Sequence, residues 1–349
     1  MPKRIGVLTG GGDTSALNAT LKGVALKAEE LGYELIGFME GWKGVLKGGD
    51  YFTLTPDLID ENRGGTILKS SRTNLIKDGK LDEAIDNLRK LNIEGLIPIG
   101  GDDTLTVAAA LSERAANLTM AFVTKTIDND VGTNPPEGDS IDYSQMVNYF
   151  CPGFPTAASR LISYVQDLRT TVYSHDRILF IEAMGRNASW LSLAAAYGQA
   201  DLILISEVPY DGNRLAQAIR EKHEKNGNVI IVLSEGVRIP KEELSMFSDE
   251  EVDRLIGETE VDAFGHVRLE GVSALVTEAM RRRLSEKMSA SGFRNLILGY
   301  LQRCGRPIEI DRVCAIKAGQ LAVSAIAHRD SNTVAAIMRT DDGIQPILL

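Results

Sequence analysis

The sequence has few of the residues that build metal centres and disulfide frameworks. Its 349 residues include three cysteines and four histidines. Neither set has the spacing of zinc ligands, so we expect no zinc site of that kind. The cysteines also suggest no disulfide framework, which favours a reducing, cytoplasmic environment. They are Cys151, Cys304 and Cys314.

Long apolar runs and an excess of positive charge are missing as well. No run is long enough to cross a membrane, and the first residues lead into a strand pattern without the apolar stretch of a signal peptide. We therefore expect no membrane partner. The net charge of −10 argues against nucleic acid, because duplex binding needs a basic surface. Phosphorylated small molecules are still compatible, since a few local arginines and lysines suffice to hold them.

Apolar residues make up 44% of the chain, enough for a substantial core in one large or two medium domains. Short apolar runs alternate with helical patterns, which is typical of a mostly parallel sheet with helices on both faces. This pattern predicts an α/β fold with two Rossmann-like three-layer domains. The predicted strands are 4–9, 34–38, 95–99, 120–123, 177–181, 202–205 and 229–233.

Turn-forming and capping residues indicate where these elements begin and end. A stretch rich in Pro, Gly and Asp at 132–139 indicates a domain boundary, after which the alternation restarts. Asp13 and Thr14 are predicted to cap the first helix. A second helix is predicted at 81–91, and a polar surface helix or loop at 241–254.

Three polar turns follow predicted strands, where parallel sheets hold their ligands. The glycines at 10–12 favour an anion, although their spacing is neither that of a Walker A loop nor that of a dinucleotide fingerprint. Residues 100–103 combine two glycines with two acids, which fits Mg2+ shared between Asp102 and phosphate oxygens. Residues 125–130 offer a lysine to neutralise phosphate and an aspartate to take a hydroxyl proton. Singly, each turn could be an unliganded turn, a capped helix or a solvated loop; together they indicate phosphoryl transfer.

The order and spacing of these turns resemble the phosphofructokinase family, typified by 6-phosphofructokinase, over residues 5 to about 320. The resemblance implies transfer of a phosphoryl group to the 1-hydroxyl of fructose 6-phosphate, in a homodimer or homotetramer. It implies a donor-binding domain of 1–140 with about 302–335, a sugar-phosphate domain of 141–301, and an active site in the cleft between them. The motifs that carry it are 11–13, 64–72, 100–104, 126–130, 184–186 and 298–303.

The same resemblance implies a role for each site residue. Asp128 would be the general base, Asp102 would bind Mg2+, and Arg72 and Lys125 would assist the transferred and departing phosphates. The donor would be held by Gly11, Gly12, Asp103 and Thr104. The sugar phosphate would be held by Thr126, Asp130, Met184, Gly185, Arg186, Glu207, Tyr300 and Arg303, together with Arg177 and Arg294 of a neighbouring subunit. Arginine suits phosphate because its planar fork binds two oxygens at once.

Two residues bear on the phosphoryl donor. ATP-using members usually carry glycine at the positions of Asp103 and Lys125, and pyrophosphate-using members carry Asp and Lys, so the resemblance implies pyrophosphate. The Asp103 carboxylate would lie where the α-phosphate of ATP binds. Two like charges about 4 Å apart at an effective dielectric constant of about 20 repel by roughly 4 kcal/mol, or about three decades of affinity. Lys125 would add positive charge near the departing phosphate.

The sequence also departs from the family pattern. After Asp13 the family usually reads Ala-Pro-Gly, where this chain has Thr14, Ser15 and Ala16. Replacing the Pro by Ser15 and the Gly by Ala16 adds side chains that we expect to restrict the pocket to a small donor, and Ser206 replaces a usual Pro before Glu207. The stretch 134–151 is longer than usual, which makes sedoheptulose 7-phosphate an alternative acceptor. An ATP-dependent 6-phosphofructokinase and a non-catalytic sugar-phosphate-binding regulatory subunit are the alternative functions. We predict no nucleotide effector site.

Overall fold

The structure is a computed structural model that describes residues 2–132, 148–256, 271–285 and 292–349. The chain forms two compact units, one of Met1–Thr156 with Arg303–Leu349 and the other of Ala157–Gln302. Each unit is built on its own largely parallel sheet, which confirms the predicted α/β class. No helix within the described ranges combines the length and apolar content needed to cross a bilayer.

Among the described residues, the sheet of the first unit has seven strands. They are β1 (Arg4–Thr9), β2 (Glu34–Phe38), β3 (Tyr51–Thr53), β4 (Ile93–Gly100), β5 (Thr119–Thr124), β10 (Thr333–Thr340) and β11 (Gly343–Leu348). Their order is β11-β10-β5-β4-β1-β2-β3, and all pairs are parallel except the edge pairs β2–β3 and β10–β11. The central β1 and β4 are almost entirely buried, as a parallel sheet covered on both faces requires.

Helices cover both faces of this sheet. They are α1 (Leu17–Glu30), α2 (Trp42–Lys47), α3 (Leu81–Lys90), α4 (Asp102–Arg114) and α11 (Glu309–His328), while α5 (Phe154–Ser174) leads into the second unit. The helices α1 and α11 touch through their backbones, because a Cβ at Gly23 would lie 1.9 Å from the carbonyl oxygen of Ile316. As predicted, α3 buries one apolar face, made of Leu81, Ala84, Ile85 and Leu88.

The predicted cap of α1 by Asp13 and Thr14 is wrong. The helix begins at Leu17 with Ala16 as its N-cap residue and has no side-chain cap. The Thr14 hydroxyl accepts a hydrogen bond from Ala16 N at 3.3 Å, and the Thr14 carbonyl accepts one from Gly65 N at 3.0 Å. These bonds hold an extra turn between β1 and α1, so the helix starts later than the capping pattern predicted.

The second unit contains a four-stranded, all-parallel sheet of order β7-β8-β6-β9. Its strands are β6 (Ile178–Ala183), β7 (Leu202–Leu204), β8 (Val229–Ser234) and β9 (Phe293–Ile297). Its helices are α6 (Trp190–Ala194), α7 (Gly212–Asn226), α8 (Lys241–Leu244), α9 (Asp249–Ile256) and α10 (Val272–Leu284). A core that includes Phe180, Ile231 and Met280 lies between this sheet and α7 and α10. The polar segment predicted at 241–254 forms α8 and most of α9.

The first unit extends further along the chain than 140 and 335, the limits predicted for its two segments. They end at Thr156 and Leu349. The Asn148 side chain donates to Thr124 Oγ1 at 3.1 Å and accepts from Ile337 N at 3.0 Å, which ties this stretch to β5 and β10. The hairpin of β10 and β11 completes the first sheet, so the chain after 335 cannot be separated from it. The boundary predicted at 132–139 lies, beyond its first residue, outside the described residues.

Candidate active site

The turn after β1 is packed tightly against the start of α4. A Cβ at Gly10 would lie 2.4 Å from Thr104 Oγ1, and one at Gly100 would lie 2.3 Å from Thr104 Cβ. Gly10 N donates to Ile99 O at 3.0 Å. Gly11 has a φ of +74°, a conformation that favours glycine. The close approaches bring together the first two predicted donor-binding turns, residues 10–12 (the donor turn) and 100–103, at the carboxyl edge of the sheet.

The ammonium group of Lys125 lies buried beside this turn. The residue is 3% exposed, and its Nζ donates to Gly10 O at 3.0 Å and to Gly12 O at 2.5 Å. A Cβ at Gly11 would lie 3.6 Å from that nitrogen. Burial, with the Arg303 guanidinium as the second cause, lowers the pKa of Lys125 to about 8. Lys125 is thus a positive charge at the donor turn, and it also holds the shape of the turn through two carbonyl groups.

The two acids of the second turn begin α4 immediately after its N-cap residue, Gly101. Carboxylates in a first turn are stabilised by the helix dipole, so both positions are favourable without any ligand. Asp102 is exposed and Asp103 is partly exposed. The pKa of Asp130 is raised by burial and further by the Asp102 carboxylate, so these two acids share one electrostatic environment.

This acidic edge suits an ion that the substrate helps to bind. Within the described ranges, no group of three or more His, Cys, Asp or Glu side chains forms a complete metal site. Mg2+ is usually bound by one or two carboxylates, several waters and substrate phosphates. The exposed carboxylate of Asp102 therefore fits Mg2+ that arrives with a phosphorylated donor.

The loop after β5 carries the predicted base. Asp128 N donates to Thr126 Oγ1 at 3.1 Å. Asn129 has a φ of +56°, and its side-chain oxygen accepts from Cys151 N at 2.8 Å. Burial raises the pKa of Asp130 above its ordinary value. Internal and external hydrogen bonds therefore order the loop that carries the two aspartates.

Arg72 ends a segment that runs alongside the donor turn. Ser70 Oγ donates to Gly11 O at 2.5 Å, and Gly11 N donates to Ser71 O at 3.4 Å. The Arg72 side chain that follows is exposed. Its predicted role at the transferred phosphate is compatible with this neighbourhood.

Arg303 also lies at the donor turn. Its Nε is 3.5 Å from Asp13 Oδ1, and a Cβ at Gly12 would lie 2.4 Å from Arg303 Nη1. The sequence predicted that Arg303 completes the sugar-phosphate pocket with Tyr300. Arg303 belongs to the first compact unit and Tyr300 to the second. The donor-turn contacts of Arg303 were not predicted.

The three residues that depart from the usual Ala-Pro-Gly are buried: Thr14 and Ser15 are each 1% exposed and Ala16 is 0% exposed. A Cβ at Gly153 would lie 2.7 Å from Thr14 Cβ. The Ser15 hydroxyl lies 3.3 Å from Arg303 O and 3.2 Å from Cys304 O, to which it donates. The side chains of Thr14 and Ser15 therefore pack the turn against neighbouring segments, a role that the sequence did not predict.

In the second unit, the turn after β6 carries Met184 and Gly185. Gly185 has a φ of +120°, and its N–H donates to Glu235 Oε1 at 3.3 Å. Met184 N donates to Gln302 Oε1 at 3.3 Å. Met184, Glu235 and Tyr300 line one small pocket of about 20 Å³. Two of the predicted sugar-phosphate residues, Met184 and Tyr300, are thus neighbours at the carboxyl edge of the second sheet.

Glu207 is held in place by two serines. Its carboxylate accepts from Ser189 N at 2.8 Å and from Ser206 Oγ at 3.1 Å. Burial alone would raise the pKa of Glu207, but hydrogen bonds from Ser189 and Ser206 keep it below its ordinary value. Ser206 N donates to Ser189 Oγ at 2.8 Å, a bond that the usual proline could not make. Arg186 is partly exposed, and its carbonyl packs against Gly236.

Arg177 and Arg294 lie at the opposite edge of the second sheet. Arg177 immediately precedes β6, and Arg294 pairs with Leu179 near the start of that strand. At about 3.3 Å per residue, Arg177 is seven steps or about 23 Å from Met184 along the extended strand, and Arg294, opposite Leu179, is five steps or about 16 Å away. Neither arginine therefore contributes to the pocket at Met184 of its own chain.

Sequence reasoning missed two groups that shape these sites. Glu235 directly follows β8. Asp102 was predicted as a site residue because it follows a predicted strand, and the same rule would have found Glu235. Gln302 lies within the motif 298–303 but received no role, although its side chain holds Met184 N.

The glycine turn, the paired acids and the buried lysine at one edge of a parallel sheet define an α/β phosphotransferase. The family model described as Phosphofructokinase matches residues 4–326, and the chain belongs to that family.

Two curated relatives differ in the donor that they are named for. The chain is 37% identical to a pyrophosphate--fructose 6-phosphate 1-phosphotransferase of Dictyoglomus thermophilum, over 96% of this chain and 89% of the relative. It is 34% identical to ATP-dependent 6-phosphofructokinase 3 of Streptomyces coelicolor, over 97% of this chain and 92% of the relative.

Among solved structures, the pyrophosphate-dependent phosphofructokinase from Marinobacter aquaeolei matches with a TM-score of 0.78 and 20% identity, over 99% of this chain and 82% of that one. At this identity the likeness shows the fold.

Proposed function

We propose that this protein transfers a phosphoryl group from pyrophosphate to the 1-hydroxyl of fructose 6-phosphate, giving fructose 1,6-bisphosphate and phosphate, with Mg2+ as cofactor. The observation that carries the donor assignment is the pair Asp103 and Lys125, which belong to two turns at the carboxyl edge of the first sheet. The Dictyoglomus thermophilum relative, 37% identical, is named for the same reaction.

The charges at this edge favour a short donor. A third phosphate about 4 Å from the Asp103 carboxylate would be repelled by roughly 4 kcal/mol at an effective dielectric constant of about 20. Pyrophosphate has no such group, because it ends at the phosphate that departs. The ammonium group of Lys125, bound to Gly10 O and Gly12 O, supplies positive charge where that phosphate leaves.

Asp102 is the residue that would hold Mg2+. Its exposed carboxylate leaves room for the waters and phosphate oxygens that complete an octahedral site. When bound, the ion supplies charge neutralisation at the phosphates. The exposed Arg72 would bind oxygens of the transferred group with its planar fork.

Asp128 would accept the proton of the sugar 1-hydroxyl as that oxygen attacks phosphorus. General base catalysis contributes about 10²–10⁴-fold in rate, so Asp128→Asn should lower kcat by that factor and change KM little. Steady-state kinetics with both substrates measure this directly. A fall of less than tenfold would show that another group takes the proton.

The sugar phosphate would be bound by the residues around Met184, Arg186 and Glu207, with Arg177 and Arg294 supplied by a neighbouring subunit. The support for a neighbour is the separation along β6 from Met184, about 23 Å for Arg177 and about 16 Å for Arg294, which is paired with Leu179. The protein would therefore act as a homodimer or homotetramer.

A coupled assay with Mg2+ and fructose 6-phosphate, run with pyrophosphate or ATP, tests the proposed function. We expect turnover with pyrophosphate and little with ATP. Sedoheptulose 7-phosphate in place of fructose 6-phosphate tests the acceptor. The long stretch 134–151, which suggested this alternative, lies almost entirely outside the described residues, so the acceptor has to be tested by assay. Faster turnover with ATP would contradict the donor assignment.

An ATP-dependent 6-phosphofructokinase is the second candidate, supported by the Streptomyces coelicolor relative of that name at 34% identity. In that case Asp103→Gly should change little. A regulatory subunit would instead show tight fructose 6-phosphate binding by calorimetry and no turnover with either donor.

A further inference from the structure

One fully buried carboxylate outside the sites described above touches the segment next to the catalytic loop. Asp311, near the start of α11, is 0% exposed. Its carboxylate accepts from Gly153 N at 2.8 Å, from Thr156 N at 3.2 Å and from Thr156 Oγ1 at 2.5 Å. A carboxylate out of contact with water is unfavourable unless hydrogen bonds compensate it, and here three donors converge on it.

Part of this arrangement is a helix cap. The helix α5 begins at Phe154, so Thr156 N belongs to its first turn, where backbone N–H groups lack helical acceptors. A carboxylate at that position satisfies one of them and is stabilised by the helix dipole. The Thr156 hydroxyl also accepts from Ile308 N at 3.2 Å, which joins the starts of α5 and α11.

The hydrogen bond from Gly153 N to Asp311 also constrains residues outside α5. Gly153 forms a parallel β-bridge with Thr126, the residue whose hydroxyl accepts from Asp128 N at 3.1 Å. Gly153 has a φ of +109°, and its Cα is packed against Thr14. The position of Gly153 thus depends on the carboxylate on one side and determines where Thr126 lies on the other.

A second bond ties the same segment to the loop. Cys151 N donates to the side-chain oxygen of Asn129 at 2.8 Å, and Asn129 directly follows Asp128. Residues 151–153 therefore bind the loop on both sides of Asp128, at Thr126 and at Asn129. A helix cap alone would not require either contact.

We propose that Asp311 is a positioning residue for the loop 126–130: it fixes Gly153, and Gly153 fixes the backbone from which Asp128 acts. This inference rests on the proposed function, in which Asp128 takes the proton of the sugar hydroxyl. Asp311 itself touches neither the donor nor the acceptor in this account.

The test compares Asp311→Asn with a matched control, Asp201→Asn. Asp201 is a mostly buried carboxylate of the second unit that accepts from Ile230 N and Arg169 Nη1, at 2.8 and 2.7 Å. Both variants lose a charged acceptor for a backbone N–H. We expect Asp311→Asn to lower kcat by about tenfold to a hundredfold with both KM values within about threefold, and Asp201→Asn to leave kcat unchanged.

Thr156 provides a second pair of variants if Asp311→Asn does not fold. Thr156→Ser keeps the hydroxyl that donates to Asp311, and Thr156→Val removes it while keeping the shape. We expect Thr156→Ser to retain wild-type kcat and Thr156→Val to lose at least about fivefold. Equal kcat values for the two Thr156 variants would overturn the proposal.

Amide hydrogen exchange gives a readout that does not depend on turnover. Exchange at residues 125–130 should be faster in Asp311→Asn or Thr156→Val than in wild type, and unchanged in Asp201→Asn. Unchanged exchange at those residues would overturn the positioning role, whatever the activity. Faster exchange in a protein whose wild type turns over neither donor would retain that role and reject the proposed function.

Discussion

Replacing Lys125 by methionine tests the contribution of its ammonium group to use of pyrophosphate. Methionine keeps the length and removes the charge together with the hydrogen bonds to Gly10 O and Gly12 O. Loss of one partner of a buried charge interaction costs about 2–5 kcal/mol, and each 1.4 kcal/mol is about a factor of ten. We therefore expect kcat/KM for pyrophosphate to fall by about one and a half to three and a half decades at pH 7.

The pH dependence identifies the charge as the cause. Burial lowers the pKa of Lys125 to about 8, so the wild-type side chain loses its proton as the pH rises through that value. A profile of kcat/KM reports groups of the free enzyme. The ratio of wild-type to Lys125→Met values should therefore fall towards one between about pH 7 and pH 9.5. Because both proteins use the same substrates, ionisation of pyrophosphate cancels in this ratio.

Stability should change in the opposite direction. The folded-state pKa of about 8 lies below the ordinary 10.5, so the unfolded chain binds more protons between these values. The free energy of unfolding of wild type, relative to Lys125→Met, should rise by about 2 kcal/mol between pH 7.5 and pH 9.5. Denaturant unfolding at pH 7.5 and 9.5 measures it. If the ratio of kcat/KM for pyrophosphate between wild type and Lys125→Met stays constant from pH 7 to 9.5, the charge of Lys125 does not act at the donor turn.

Three further experiments test the turn after β1, the turn after β6 and the subunit that supplies Arg294. Ser15→Pro combined with Ala16→Gly restores the usual family residues and removes the Ser15 hydrogen bonds to Arg303 O and Cys304 O, so we expect a loss of about 1–2 kcal/mol in unfolding free energy; a tenfold gain in ATP use would instead show that these side chains select the donor. Gly185→Ala meets a φ of +120° and a carbonyl oxygen 2.7 Å from its Cβ, so KM for fructose 6-phosphate should rise about tenfold or more while KM for pyrophosphate stays within about twofold. Mixing Arg294→Ala with Asp128→Asn should restore activity in hybrid oligomers, and mixing Arg186→Ala with Asp128→Asn should not; equal behaviour of the two mixtures would contradict the neighbouring-subunit role.

The strands and the polar turns were predictable because they depend on local chemistry. Buried parallel strands read as continuous apolar runs, and β1 and β2 begin and end at the predicted residues. The acids at the start of α4 were visible because they follow the glycines that end β4. In a parallel sheet, the turns that follow the strands lie at the same edge, so their proximity can be predicted without knowledge of the rest of the fold.

The failures arise where distant residues determine local structure. The start of α1 is displaced by bonds to Gly65, about 50 residues away in the sequence, so no local capping pattern could reveal it. The carboxylate at the start of α5 comes from Asp311, which is 155 positions from Thr156. The first unit likewise includes the last strands of the chain, because β10 pairs with β5.

The buried state of Lys125 was also beyond sequence reasoning. From the sequence, a lysine after a strand could equally be a solvent-exposed charge or a phosphate ligand. Its contacts with Gly10 O and Gly12 O arise only when β5 and β1 lie on either side of β4 in the sheet. The lowered pKa follows from that burial and from the nearby Arg303.

The central claim is that Asp103 and Lys125 make pyrophosphate the donor. The most direct measurement is the ratio of kcat/KM for pyrophosphate to kcat/KM for ATP, in wild type and in the double variant Asp103→Gly, Lys125→Gly, with Mg2+ and fructose 6-phosphate. We predict a wild-type ratio of about 10³ or more, which the double variant lowers by at least about a hundredfold. A wild-type ratio below one, or a ratio that the double variant leaves unchanged, would contradict it.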